Sequence, residues 1–194
     1  VELQGQASGE ISVSQGILRR RDRMMDRDAT DRFLERTAFA HFATVSTNGD
    51  PYVVPNLFVY ADGKIFSHTS HVGHFRSNIE ARPRVCFEAA EIGTVFPYGE
   101  FECDSSVSYV SVVGFGSIRI EEDRTAKILF FDRLMAKYSD PKLDRPKGFY
   151  PRLDCITMYA LTIEHVTGKH LPLPMVSEQW PTVNRTKTPG AVPP

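Results

Sequence analysis

Two turn signals close together constrain this chain more than any other feature of its sequence. Asn48-Gly49 separates AHFATVS (Ala40–Ser46) from YVVPNLFVY (Tyr52–Tyr60), and Asp62-Gly63 separates the latter from Lys64–His68. Such dipeptides accept the positive φ angles of tight hairpin turns, so the three β-rich runs they join predict an antiparallel meander.

The strand pattern continues downstream. In Ser106–Glu121, Val110, Val112, Gly114, Gly116, Ile118 and Ile120 alternate with positions that include Ser111, Ser117 and Arg119, the period of a half-buried strand. Arg84–Ala90 and Cys155–Val166 read as further strands, and Glu91–Asp104, with Gly93, Pro97 and Gly99, as a loop. Three helices are predicted between them. Asp28–Ala38 is capped by Asp28 and carries Phe33, Leu34, Thr37 and Ala38 on one stripe. His74–Ala81 is stopped by Arg82-Pro83, and Asp123–Tyr138 carries Ile128, Leu129, Phe131, Leu134 and Met135. Six antiparallel strands with a few helices predict a small closed barrel, mainly β, rather than a parallel α/β sheet. No glycine-rich dinucleotide fingerprint or P-loop joins a strand to a helix.

With 194 residues, one domain is expected: an N-terminal tail over 1–24, a folded unit over 25–168, and a Pro-rich extension over 169–194 that holds the single tryptophan, Trp180. The formal net charge of −1 implies no bulk attraction to nucleic acid or to an anionic membrane. The basic run Arg19, Arg20, Arg21, Arg23 reads as a solvated arm, since no aromatics interleave with it. No apolar run is long enough to span a bilayer, and no charged-then-apolar leader is apparent. Three cysteines without short paired spacing fit a reducing compartment, so a cytoplasmic location is the expectation.

The chemistry concentrates in KIFSHTSHVGHFRSNIEARPRVCF, from Lys64 to Phe87. A strand ends in a turn of hydroxyls and histidines that opens onto a helix, where backbone N–H groups and the helix dipole favour an anion. Ser67, His68, Thr69, Ser70, His74 and Arg76 supply donors around that spot, so a phosphate ester, and hence a nucleotide-like cofactor, fits there. Each residue also has a plainer reading. His68 can cap a strand, Thr69, Ser70, Ser77 and Asn78 can be turn and cap residues, and Arg76 can lie on a solvated helix face. Pro55, unable to donate to a ladder, reads with Val54 and Asn56 as an edge or bulge. Tyr109 and Ser111 can be the outward face of the long strand. His68, His71 and His74 have a metal-like H-x2-H-x2-H spacing, but no carboxylate or thiol accompanies them, and no metal site is expected. Cys86 reads as a buried strand residue with no base nearby.

Four segments in order carry a family resemblance: YVVPNLFVY with ADGKIFSHTS; Gly73-His74-Phe75-Arg76-Ser77-Asn78-Ile79 with Pro83-Arg84-Val85-Cys86-Phe87; SVSYVSVVGFGSIRI; and MYALTIEHVTGK. Over residues from about 25 to 170 the chain resembles the FMN-binding split barrels related to pyridoxamine 5′-phosphate oxidase, and within them the 5-nitroimidazole resistance (Nim-type nitroimidazole reductase) proteins. One departure stands out: many relatives carry Gly-Arg-Lys where this chain has Gly73-His74-Phe75, followed by Arg76.

The resemblance implies a six-stranded split β-barrel and a cytoplasmic homodimer with FMN, or FAD as the alternative, at the subunit interface. It implies that Val54, Pro55 and Asn56 lie against the isoalloxazine ring, and that Thr69, Ser70, Gly73 and Arg76 hold the phosphate. It places the strand with Tyr109 and Ser111 at the dimer interface, and His68 beside the flavin as the residue that contacts a small-molecule substrate or gives it a proton. Flavin-dependent reduction of a small molecule is the activity implied. The alternatives are pyridoxamine phosphate oxidation, a deazaflavin-dependent reductase, or a non-catalytic flavin or haem carrier with His68 or His71 as axial ligand. Pyridoxamine phosphate oxidases need further basic residues near the C-terminus, where this chain has only Arg185 and Lys187.

Overall fold

The computed structural model describes residues 18–99, 101–143 and 146–175. Trp180, Arg185 and Lys187 lie outside the described residues. Seven antiparallel strands form one sheet: β1 (Ala40–Val45), β2 (Pro51–Asn56), β3 (Phe58–Ala61), β4 (Lys64–Ser70), β5 (Arg84–Pro97), β6 (Ser105–Glu121) and β7 (Ile156–Leu171). Three helices punctuate them: α1 (Arg27–Arg36), α2 (His74–Ala81) and α3 (Arg124–Tyr138). At the Asp62-Gly63 turn both residues have positive φ, 54° and 70°, the geometry that lets a two-residue hairpin follow the sheet's twist.

The strand order is β2-β1-β5-β6-β7-β4-β3. Two expectations are corrected here. The run Tyr52–Tyr60 is not one strand. It breaks at Leu57 because its first half pairs with β1 (Val54 opposite Phe42) and its second with β4 (Val59 opposite Phe66). The strand count is therefore seven rather than six. The sheet is also not closed, since β2 and β3 are its two edges. One residue joins those edges, so the sheet curls until they meet, but no ladder crosses the gap. A side chain bridges it: Asn56 Nδ2 donates to the His68 carbonyl at 2.8 Å. The result is a split barrel. Pro55 sits on the edge strand, where a missing N–H does no harm.

The core fills the barrel with Phe42, Phe58, Ile65, Phe75, Phe87, Tyr159 and Leu161. A second cluster, Val59, Phe130, Leu134 and Met158, lies under α3. Asp123, the first residue of the predicted helix, caps α3, accepting from the Ala126 N–H at 2.7 Å, but the buried face is Lys127, Phe130 and Leu134. Leu129 and Met135 are exposed. Ile128 to Phe131 are apolar all round the helix, so the spacing alone could not select the face. Tertiary bonds did so, because Lys127 Nζ reaches Glu122 (2.6 Å) and the Ile156 carbonyl (3.2 Å). The cap of α1 is Asp26, not Asp28.

The first half of the predicted loop Glu91–Asp104 is strand. β5 runs on to Pro97 beside β6, with a bulge between Ile92 and Val95. The basic run is not a solvated arm throughout. Arg20 is buried, paired with Asp22 and donating to the Tyr98 hydroxyl at 2.8 Å, where Arg23 also donates at 2.9 Å. The Met25 N–H donates to the Gly168 carbonyl at 2.9 Å, so this segment straps across the end of β7. Among the described residues, no helix is long and apolar enough to cross a membrane.

Candidate functional site

Strand alternation sorts the β4 residues first. Ile65, Ser67 and Thr69 point into the barrel, where Thr69 Oγ1 lies 2.9 Å from the Tyr159 hydroxyl. Phe66, His68 and Ser70 take the other face. There the His68 ring meets Phe130 and Phe131 of α3 edge-on, with centroids at 5.7 and 5.1 Å. Neighbours in sequence therefore serve opposite sides of the sheet, which the one-dimensional cluster of donors concealed.

After Ser70 the chain turns through Gly73, whose φ of 139° is open only to glycine, into α2. Gly73 is the N-cap, no side chain caps the helix, and the first turn carries no acid. The leading N–H groups of α2 are thus left for an outside acceptor, and a Cβ at Gly73 would meet nothing within 4 Å. Ser77 does not take part, because its hydroxyl donates to the Gly73 carbonyl at 3.3 Å. Asn78 is buried and donates to Thr44 Oγ1 at 2.9 Å, the role of a structural cross-link.

Arg76 leaves α2 toward β7. It donates to Thr157 Oγ1 at 2.5 Å and to Glu80 at 2.8 Å, and Glu122 stands 3.7 Å away. The Glu80 bond is the main reason that its guanidinium is held above its ordinary range. Thr69, Tyr159, Thr157, Arg76, Glu80, Glu122 and Lys127 thus form one polar chain from the barrel interior to the surface. Burial pushes the Tyr159 phenol up, so it stays protonated. The Arg76–Glu80 spacing is legible in the sequence as an i, i+4 pair. Thr157 and Tyr159 were missed, because only the β4–β7 ladder brings them to Thr69 and Ser67.

Two buried polar atoms of β4 have no partner, Ser67 Oγ on its inner face and His68 Nδ1 on its outer face. An unsatisfied buried group costs about 1–3 kcal/mol, so each calls for a partner from outside the chain, a water or a ligand. Burial also lowers the His68 pKa, leaving its imidazole neutral near pH 7. The three histidines do not converge. His68 lies under α3, His71 Nδ1 meets the Cys155 carbonyl at 3.2 Å, and the exposed His74 ring rests on Tyr52 with centroids 4.2 Å apart.

The remaining candidates divide in two. Val54 packs inward on edge strand β2 and Pro55 is exposed beside it, with Asn56 tied to the His68 carbonyl. Tyr109 and Ser111 lie elsewhere. His68 pairs with Met158, which pairs with Glu121, and Tyr109 sits at the other end of β6, roughly 40 Å along the strand. Within one chain they are not part of the β4–α2 site.

A split sheet whose edge hairpin, β3–β4, leads into an uncapped helix start defines a class of barrel built around the β4–α2 turn. A sequence model of the pyridoxamine 5′-phosphate oxidase family matches residues 26–170, and the chain belongs to that family. No curated protein matches it significantly by sequence. Among solved structures, the flavocytochrome Anf3 from Azotobacter vinelandii is similar at a TM-score of 0.73, with 16% identity, over 89% of this chain and 82% of that one. An FAD and haem binding protein from Mycobacterium smegmatis gives 0.63 with 19% identity, over 75% of this chain and 71% of that one. A candidate 5-nitroimidazole antibiotic resistance protein from Bacteroides thetaiotaomicron gives 0.62 with 18% identity, over 75% and 85%. At these identities the likeness is one of fold.

Proposed function

We propose that this protein binds a flavin nucleotide at the β4–α2 turn and uses it to reduce a small molecule. The observation that carries the reading is the uncapped start of α2 with Arg76 in its first turn, following a strand that leaves Ser67 Oγ on its inner face and His68 Nδ1 on its outer face buried without partners. The donor set fits a flavin phosphate: N–H groups of α2, the Thr69 and Ser70 hydroxyls, and the Arg76 guanidinium. Val54, Pro55 and Asn56 would border the ring system along the barrel's split. When bound, a flavin supplies the hydride or electron transfer. The protein's part is to orient it and to exclude water with the Phe130 and Phe131 wall. His68, neutral at pH 7, acts as a hydrogen-bond donor or acceptor toward the substrate rather than as a standing cation. An absorption spectrum of the purified protein tests this reading. Two flavin bands in the near-UV and blue are expected, and a protein that takes up neither FMN nor FAD overturns it.

The working unit is a homodimer. Val53, Ala43, Cys86, Phe115 and His165 form one lateral row across β2, β1, β5, β6 and β7, on the face away from the barrel core. Each is at least partly exposed, Val53 most of all at 57%. An isologous partner on this face would bury that row and could bring its Tyr109 and Ser111 strand to the flavin.

One observation favours a second reading, a haem-carrying protein. His71 is exposed and its Nδ1 bonds a backbone carbonyl, the support that commonly orients a metal-ligating imidazole and leaves Nε2 outward. Two of the similar structures are a flavocytochrome and an FAD and haem binding protein. A Soret band in the same spectrum would establish it.

A further inference from the structure

The His74 side chain is engaged with an aromatic neighbour. It is the first residue of α2, its ring is exposed, and that ring lies on Tyr52 at 4.2 Å with an interplanar angle of 37°. Tyr52 in turn packs against the barrel core from β2. The result is a tilted aromatic pair whose inner ring is half-buried and whose outer ring is exposed. Among the described residues, it stands at the one α-helix start without a capping side chain.

We infer that the Tyr52–His74 stack is a platform for the purine of a flavin dinucleotide, so that the site selects FAD over FMN. The inference rests on the flavin reading above and adds its specificity. An FMN phosphate held by the α2 N–H groups would end at the helix start. In FAD a second phosphate and an adenosine would continue from that point, and the His74 ring on the first residue of the helix could receive the base. Stacking on an aromatic ring tolerates any orientation of the base's polar edge, so no further donor is needed there. The backbone N–H of His74 remains part of the phosphate cradle, and only its side chain is assigned to the base.

Titration of flavin-free protein with FAD and with FMN separates the possibilities. The parent should bind FAD at least about tenfold more tightly than FMN, the scale of one base-on-ring stack. His74→Ala should lose that preference by weakening FAD while leaving FMN unchanged, and His74→Phe should restore it. Equal affinity of the parent for the two flavins, or an equal loss of both in His74→Ala, overturns the platform and leaves flavin binding in place. A parent that binds neither flavin overturns both. Circular dichroism of each variant, unchanged from the parent, shows that the fold is intact.

Discussion

Arg76 donates to the hydroxyl of Thr157, 2.5 Å away and 81 residues further along the chain. That bond joins the start of α2 to the strand beside β4 and holds the guanidinium at the edge of the proposed phosphate site. Arg76→Ala should weaken FMN binding by roughly tenfold or more, as loss of a charged hydrogen bond does, and change riboflavin binding little. Calorimetric titration of both ligands checks this, and an equal loss for both would place Arg76 outside the phosphate site.

Glu80 and Glu122 compete with any anion for the same guanidinium. Glu80→Gln keeps the helix and removes one competing charge. FMN affinity should rise by a few fold, the size of a solvent-exposed ion pair. An unchanged or lower affinity would mean that Glu80 orients Arg76 rather than competing for it.

His68→Ala should keep the fold and most of the flavin affinity but lose reduction of a nitroaromatic acceptor. His68→Gln, which cannot titrate, should recover binding more than turnover. Because burial lowers the His68 pKa below its ordinary value near 6.5, turnover should not change with this group's ionisation above neutrality and should fall only in the acid range. Single-turnover reoxidation across pH measures it, and unchanged rates in both variants would make His68 a strand-end residue.

The proposed dimer should elute at twice the 21.9 kDa chain mass in light-scattering chromatography. Val53→Asp places a charge in the exposed lateral row and should shift it toward monomer, with flavin affinity falling in parallel. A flavin-binding monomer would remove the shared site.

Lys137 tests an independent part of the molecule. Its ammonium lies 4.1 Å from the Phe58 ring centroid and donates to the carbonyls of Phe58 (3.2 Å) and Leu34 (3.4 Å). Burial pulls its pKa down to about 8 from 10.5. The folded chain therefore gives up this proton more readily than the unfolded chain. The penalty for the charged form is fully present below pH 8 and fades as pH rises toward 10.5. Relative to Lys137→Met, the parent should gain stability across that window, by about 1 kcal/mol once solvent screening of this half-exposed group is allowed for. Chemical denaturation at pH 7 and pH 9.5 gives the comparison.

Much of this was legible in one dimension. The Asn48-Gly49 and Asp62-Gly63 turns, the alternation in β6, the bounds of α2 and the presence of α3 are local signals, set by backbone sterics and by hydrogen bonds within a few residues. So was the concentration of donors between Ser67 and Arg76. The split at Leu57 was not, because it arises from a change of pairing partner, from β1 to β4, and pairing is a relation between distant segments. The buried face of α3 was likewise decided by where Lys127 finds Glu122 and the Ile156 carbonyl.

The site shows the same division. The sequence by itself determined which residue types stand at the turn and that a helix begins there. Only the tertiary structure decided that Ser67 and Thr69 face Tyr159 while His68 faces Phe131, that Arg76 reaches Thr157, and that Tyr109 lies at the far end of β6. The physical reason is that a strand sends successive side chains to opposite faces, and what each face meets depends on the ladders that curl the sheet.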